Sequence, residues 1–130
     1  MKYAFEKVEE SRSFPTGDAF LGDAVGLDQA EIVIYSGVQF APDSRKAAIL
    51  IELGEECLGD HINEDDPAVT NVLGFARYRN GDDPPSRLIE LVCHPNTSEA
   101  AIAAAREVFA AAGLEVSLCN DQAGRIINRL

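Results

Sequence analysis

Three groups of residues in the 130-residue chain have types suited to chemistry: a carboxylate inside an apolar run, a Cys-His pair and a histidine among acids. Glu90 stands within Leu88-Ile89-Glu90-Leu91-Val92, on the strand face shared by Leu88 and Val92. A carboxylate buried there is costly unless it is paired. Two readings stay open for it: a charge facing solvent at a strand edge or paired with an arginine, and a member of a site that holds a titrating partner. Cys93 and His94 supply a nucleophile beside a base, but adjacent strand residues point to opposite faces, so no hydrogen bond between them is expected. His61 could join Glu64 and Asp65 around a metal ion, although a solvated loop histidine is the commoner arrangement, and no metal site is assigned. A dinucleotide needs a GxGxxG turn whose backbone N–H groups reach the pyrophosphate. Gly22 and Gly26 are too widely spaced for that turn and GxxxxGK[ST] is absent, so the chain carries no recognisable phosphate cradle and no cofactor-binding residue is assigned.

These groups have to be positioned by a small set of elements. Residues 1–30, with Gly17, Gly22 and Gly26 and scattered apolar residues, read as an irregular entry segment with one short helix near Ala19 to Val25. Ile32-Val33-Ile34-Tyr35 is a continuous β-branched and aromatic run closed by Ser36-Gly37, the pattern of a central strand covered on both faces. Ala47 to Leu53 reads as a second strand. Gly54 to Pro67, with Glu55, Glu56, Asp60, Glu64, Asp65 and Asp66, reads as an exposed, mobile loop. Val72 to Tyr78 and Arg87 to Cys93 read as strands separated by a loop, because Pro84 and Pro85 cannot continue a sheet.

Thr97 or Ser98 then supplies an N-cap oxygen, Glu99 a negative first turn, and Gly113 a C′ residue. Ile102, Ala105, Phe109 and Ala112 form the apolar stripe of the helix between them, and Leu114 to Leu118 follows as a strand. Strands joined by at least one crossover helix predict a small α/β fold.

Composition narrows the partners. Eleven Lys and Arg against 22 Asp and Glu give a formal net charge of −11, which repels phosphate backbones and anionic lipid surfaces, so neither nucleic acid nor membrane is expected. Fifteen of the acids and five of the bases fall in residues 1–66, which makes an acidic face or a docking surface for a basic partner. The longest apolar run, Ala100 to Ala105, is far below the roughly 20 residues of a membrane span. Cys57, Cys93 and Cys119 are odd in number and far apart, as suits a reducing cytoplasm.

The C-terminal segment, Asp121-Gln122-Ala123-Gly124-Arg125-Ile126-Ile127-Asn128-Arg129-Leu130, has a helix-like apolar stripe in Ile126, Ile127 and Leu130 but only about one and a half turns in which to hold it. Either the polypeptide continues as a longer helix, or these residues dock on another subunit. This segment, with Glu107 to Val116 before it, resembles the junction in 3-hydroxyacyl-CoA dehydrogenases where the Rossmann part meets the helical C-terminal domain. Leu88-Ile89-Glu90-Leu91-Val92 followed by Thr97-Ser98 and an alanine-rich helix is similar to the family's Leu-Val-Glu strand and the helix after it. Together these likenesses cover roughly residues 72–130, and Ile32 to Ser36 resembles an earlier Rossmann strand more loosely.

The likeness is strongest to the reduced Rossmann-fold domain of bacterial 3-hydroxybutyryl-CoA dehydrogenases. It implies an α/β fold, a reduced, mostly parallel Rossmann-like sheet with flanking helices and no dinucleotide-binding turn. The implied divisions are the entry segment 1–30, the Rossmann-like domain 31–123, and a truncated start of the helical domain at 124–130. By motif, Glu90 matches the catalytic Glu and Asn128 the catalytic Asn. Tyr78 stands where the proton-transferring His would be, the serine-bearing loop has no counterpart near Cys57, and Ala123 and Arg125 replace the Pro and Phe that flank the glycine. The resemblance therefore implies NAD as the cofactor of a parent enzyme, none for this chain alone, and an inactive segment that packs beside a catalytic half. Its partner would be the remainder of that dehydrogenase, or a second copy, reached through Ile126, Ile127 and Leu130. A stand-alone interaction or oligomerisation domain is the competing expectation.

Overall fold

A computed structural model of the chain describes residues 2–6, 23–36, 39–53, 58, 62, 66–77 and 87–120. They form a seven-stranded sheet in which β1 (Lys2–Glu6), β2 (Asp23–Ala24), β3 (Ile32–Tyr35), β4 (Ala48–Glu52), β5 (Val72–Arg77), β6 (Leu88–Cys93) and β7 (Glu115–Asn120) lie in the order β2-β1-β3-β4-β5-β6-β7. All neighbours are parallel except β5 and β6. Among the described residues one α-helix, α1 (Glu99–Ala111), connects β6 to β7.

The sequence of β3 dictates its place. All four of its residues are buried, which only a strand covered on both faces allows. On one face Tyr3, Ile32, Ile34, Leu50, Leu73, Phe75, Ile89 and Leu91 pack with Ala101, Ala105, Val108 and Phe109 of α1. The other face collects Ala4, Val33, Tyr35, Ile49, Ile51, Leu53, Val72 and Val92. Phe75 and Phe109 meet with ring centroids 5.6 Å apart at 47°, and each fully buried aromatic of this kind contributes about 1.5–3 kcal/mol. Gly74 on β5 leaves room for Leu53: a Cβ there would lie 3.0 Å from Leu53 Cγ and closer still to its Cδ1.

Local chemistry sets the ends of α1. Ser98 is the N-cap and its Oγ accepts from the Ala101 N–H at 3.2 Å, Glu99 sits in the first turn, and Gly113 carries φ 83° just past the C-cap. The buried stripe is Ala101, Ala105, Val108 and Phe109, while Ile102 and Ala112 of the expected stripe are half-buried at its margin.

The N-terminal ends of the strands are tied by polar groups. Asn71 Nδ2 donates to Asp43 O at 2.9 Å and Lys46 O at 3.0 Å, and Lys46 Nζ donates to Leu27 O at 2.5 Å and Ala30 O at 2.8 Å.

The entry-segment reading of residues 1–30 is corrected here. Lys2–Glu6 is an interior strand paired to both β2 and β3, and Asp23–Ala24 pairs with it, so the short helix does not extend through residues 23–25. Tyr3 and Ala4 bury against opposite cores, and that burial, rather than the intrinsic preference of a five-residue segment bounded by Lys2 and Glu6, makes the strand. Leu58 also departs from the exposed-loop reading of 54–67, being fully buried. The expected boundary at 124 lies outside the described residues.

Gly74→Ala should cost about 1–3 kcal/mol by overpacking. The double variant with Leu53→Ala should then lose less than the sum of the single losses, read as urea midpoints at unchanged m.

Candidate functional site

In open α/β sheets ligands bind at the carboxyl ends of the strands, where the strand order reverses. That point lies here between β1 and β3, since the chain runs outward to β2 on one side and to β3 and β4 on the other. Ser36 follows β3 at this end. It is 1% exposed and its Oγ has no hydrogen-bond partner.

Glu90 sits elsewhere. On β6 it lies between Ala76 of β5 and Ser117 of β7, and it is 4% exposed on the face it shares with Val92. At roughly 4.8 Å per strand, three strand spacings put β6 about 14 Å from β3, so Ser36 and Glu90 are not one cluster. Register sets Arg77 opposite Ile89, on the face away from Glu90, and burial pushes the Arg77 guanidinium below its usual range. The burial of Glu90 removes one of the readings left open for it, the charge facing solvent.

Cys93 and His94 do not form a catalytic pair. Cys93 is buried in the core under α1, where burial pushes its thiol up, an effect that Arg106 partly opposes. His94 is 3% exposed and fully engaged: Nε2 lies 2.7 Å from Val69 O, and Nδ1 accepts from the Asn96 N–H at 3.2 Å. Acceptance at Nδ1 places the proton on Nε2, which therefore donates to Val69. With His94 N–H donating to Thr97 Oγ1 at 2.9 Å and Ser98 N–H to Thr70 O at 2.8 Å, the ring fastens the turn before α1 to the 3₁₀ turn Pro67–Val69. This histidine is structural.

His61, Glu64, Asp65, Tyr78, Cys57, Asn128, Ile126, Ile127 and Leu130 lie outside the described residues. Among the described residues no group of three His, Cys, Asp or Glu could hold a metal ion, and no helix is long and apolar enough to cross a membrane. The buried hydroxyl of Ser36 was not singled out by sequence; the only signal was its place directly after the β-branched run.

These features define a small Rossmann-like α/β domain with a mostly parallel sheet and a flanking helix. Its fold is similar to that of 3-hydroxyacyl-CoA and 3-hydroxybutyryl-CoA dehydrogenases. The 3-hydroxyacyl-CoA dehydrogenase of Archaeoglobus fulgidus superposes with a TM-score of 0.64 at 15% identity, over 99% of this chain and 59% of that one. The (S)-3-hydroxybutyryl-CoA dehydrogenase PaaH1 of Ralstonia eutropha gives 0.64 at 15% identity, over 83% and 43%. An NAD+ dependent dismutase, 5-formyl-3-hydroxy-2-methylpyridine 4-carboxylic acid 5-dehydrogenase, gives 0.56 at 16% identity, over 82% and 40%. The chain thus spans about two fifths to three fifths of the length of these proteins. No protein-family model and no curated protein sequence matches it.

A dinucleotide does not fit the residues present. Its pyrophosphate would rest on a glycine turn directly after β1, but β1 ends at Glu6 and is followed by Lys7-Val8-Glu9-Glu10. The acid that would bind the ribose belongs at the end of the next strand, and β2 is followed by Val25, half-buried against the apolar core. In sequence, acids rather than glycines follow β1, and Val25 rather than an acid follows β2.

The raised thiol of Cys93 and the Tyr3 phenol, also raised by burial, are neutral in the folded state above their unfolded values. Stability from this source is therefore complete below about pH 9 and is lost as pH rises through the folded values. Cys93→Val should move the onset of alkaline unfolding upward, measured by denaturant midpoints from pH 7 to 11, and in the native protein at pH 8 iodoacetamide should leave Cys93 unlabelled in peptide maps.

Proposed function

We propose that the chain is a reduced, non-catalytic Rossmann-like segment of an NAD-dependent 3-hydroxyacyl-CoA dehydrogenase, whose catalytic half oxidises 3-hydroxyacyl-CoA to 3-oxoacyl-CoA in the cytoplasm. The observation that carries this reading is the strand order set beside the sequence: the sheet keeps the strand reversal at which a nicotinamide cofactor docks, while the sequence after β1 offers Glu6, Glu9 and Glu10 in place of glycines.

Hydride transfer needs a nicotinamide, and proton transfer at the substrate oxygen contributes typically 10²- to 10⁴-fold through a group titrating near neutrality. Tyr78 at the position of the family's histidine is a phenol with an ordinary value near 10, unsuited to that task. Glu90 and Asn128 are then remnants of the catalytic set, Glu90 kept by its buried place between Ala76 and Ser117. The segment's work is packing: it supplies a rigid wall that shapes the acyl-CoA cleft of the catalytic half, with Ile126, Ile127 and Leu130 as the contact to that half or to a second copy. Cys93 and Cys119, which form no disulfide, suit a reducing compartment.

With acetoacetyl-CoA and NADH, the chain should oxidise NADH no faster than buffer, and calorimetric titration with NAD+ should give no heat of binding. The protein recovered from its source cells should migrate as a species much larger than these 130 residues and carry dehydrogenase activity. Turnover by the chain alone, or recovery of a 130-residue protein without such activity, would overturn the reading.

A further inference from the structure

The ring of His94 is 3% exposed and bonds to main chain alone: Nδ1 accepts from the Asn96 N–H, and Nε2 donates to Val69 O. The first bond closes the turn before α1, which the Thr97 N–H, donating to His94 O at 3.0 Å, also holds. The second crosses to the 3₁₀ turn Pro67–Val69, whose Val69 side chain is buried in the core on the face away from α1. A ring with one donor and one acceptor fits between a carbonyl and an N–H. The imidazolium, a donor at both nitrogens, does not. Protonation sets a new Nδ1–H against the Asn96 N–H and leaves a cation where there is almost no water to solvate it.

Among the described residues no ionised side chain bonds to the ring to offset that charge. The 3₁₀ turn begins at Asp66, which is exposed and whose Oδ1 accepts from the Ala68 N–H at 2.9 Å. α1 carries Glu99, Arg106 and Glu107, all exposed. In the loop tied to Asn71, Asp43 pairs with Arg45, and Lys46 donates to the carbonyls of Leu27 and Ala30. On β6 Cys93 turns to the core under α1, and Glu90 lies four residues back from His94, about 13 Å along an extended chain. On β7 Cys119 stands opposite Val92, and Asp121 after it lies outside the described residues.

We infer that His94 is a proton-operated clasp: neutral, it holds the entry to α1 against the 3₁₀ turn, and on protonation it lets the two part. The unfolded chain takes up a proton near the ordinary histidine value of about 6.5, whereas the closed clasp has no place for one. Stability from the clasp is therefore complete above that value and is lost as pH falls below it. One proton weakens folding by at most about tenfold for each pH unit. The Ser98 N–H, which donates to Thr70 O at 2.8 Å, links the same two segments and parts with the ring. Opening thus frees the first turn of α1, while Val108 and Phe109 hold its far half on the core.

Urea midpoints of the full chain, taken from about pH 8 to about pH 5.5 at unchanged m, should hold level and then fall below about pH 6.5. His94→Gln, whose amide donates to Val69 O at every pH, should start lower and stay level across the interval, while His61→Gln should follow the parent. In the native protein, deuterium exchange at the Asn96 and Ser98 N–H groups, corrected for intrinsic rates, should speed up at least about threefold between pH 7 and pH 5.5, with Val108 and Phe109 unchanged. That measurement needs no variant, so it decides the matter even where His94→Gln is too unstable to fold. A level parent midpoint, unchanged exchange at Asn96 and Ser98, a His94→Gln variant that loses stability as steeply as the parent, or a loss removed by His61→Gln would each overturn the inference.

Discussion

Burial of β3 and β4 on both faces is the constraint from which the other features follow. Ile32, Ile34, Ala48, Ile49 and Leu50 have no exposed surface, so no polar side chain fits in the middle of these strands without losing its hydration. Polar groups are pushed to the strand ends, where they divide into two sets. At the amino ends, Asn71 and Lys46 satisfy main-chain carbonyls and hold neighbouring loops together. At the carboxyl end of β3 lies Ser36. Glu90 is the exception, a buried carboxylate on a strand flank between Ala76 and Ser117.

The antiparallel step from β5 to β6 is the second determinant. It reverses chain direction within the sheet, so that β6 begins beside the carboxyl end of β5 and delivers its own end, with His94, to the opposite rim. There the imidazole is consumed by main-chain groups. Had β6 run parallel, Cys93 and His94 would emerge on the same rim as Ser36. Strand direction, more than residue type, separates Cys93 and His94 from the rim that carries Ser36.

Legibility in the sequence followed the strength of local signals. The helix could be read because Ser98, Glu99 and Gly113 mark its ends in residue types whose hydrogen bonds and φ values are local. β3 could be read because four consecutive β-branched or aromatic residues have few other uses. β1 could not: Tyr3, Ala4 and Phe5 become a strand only because β2 and β3 supply partners from more than twenty residues away. β2, two residues long, has no local signature at all. The face that Glu90 shares with Val92 was readable from alternation, but neither its burial nor the fate of His94 was, because the partner of His94, Val69, belongs to a turn whose position depends on the whole sheet.

The two rims of the sheet along its width are unequal. At one side β2 contributes two residues, and at the other β7 contributes six in an unbroken register. Growth of a sheet by strand addition needs a long template at both ends, and among the described residues only one end has it. Main-chain pairing with a further strand would thus find three times as many residues to bond at β7 as at β2, so the two sides of one sheet are unequal templates.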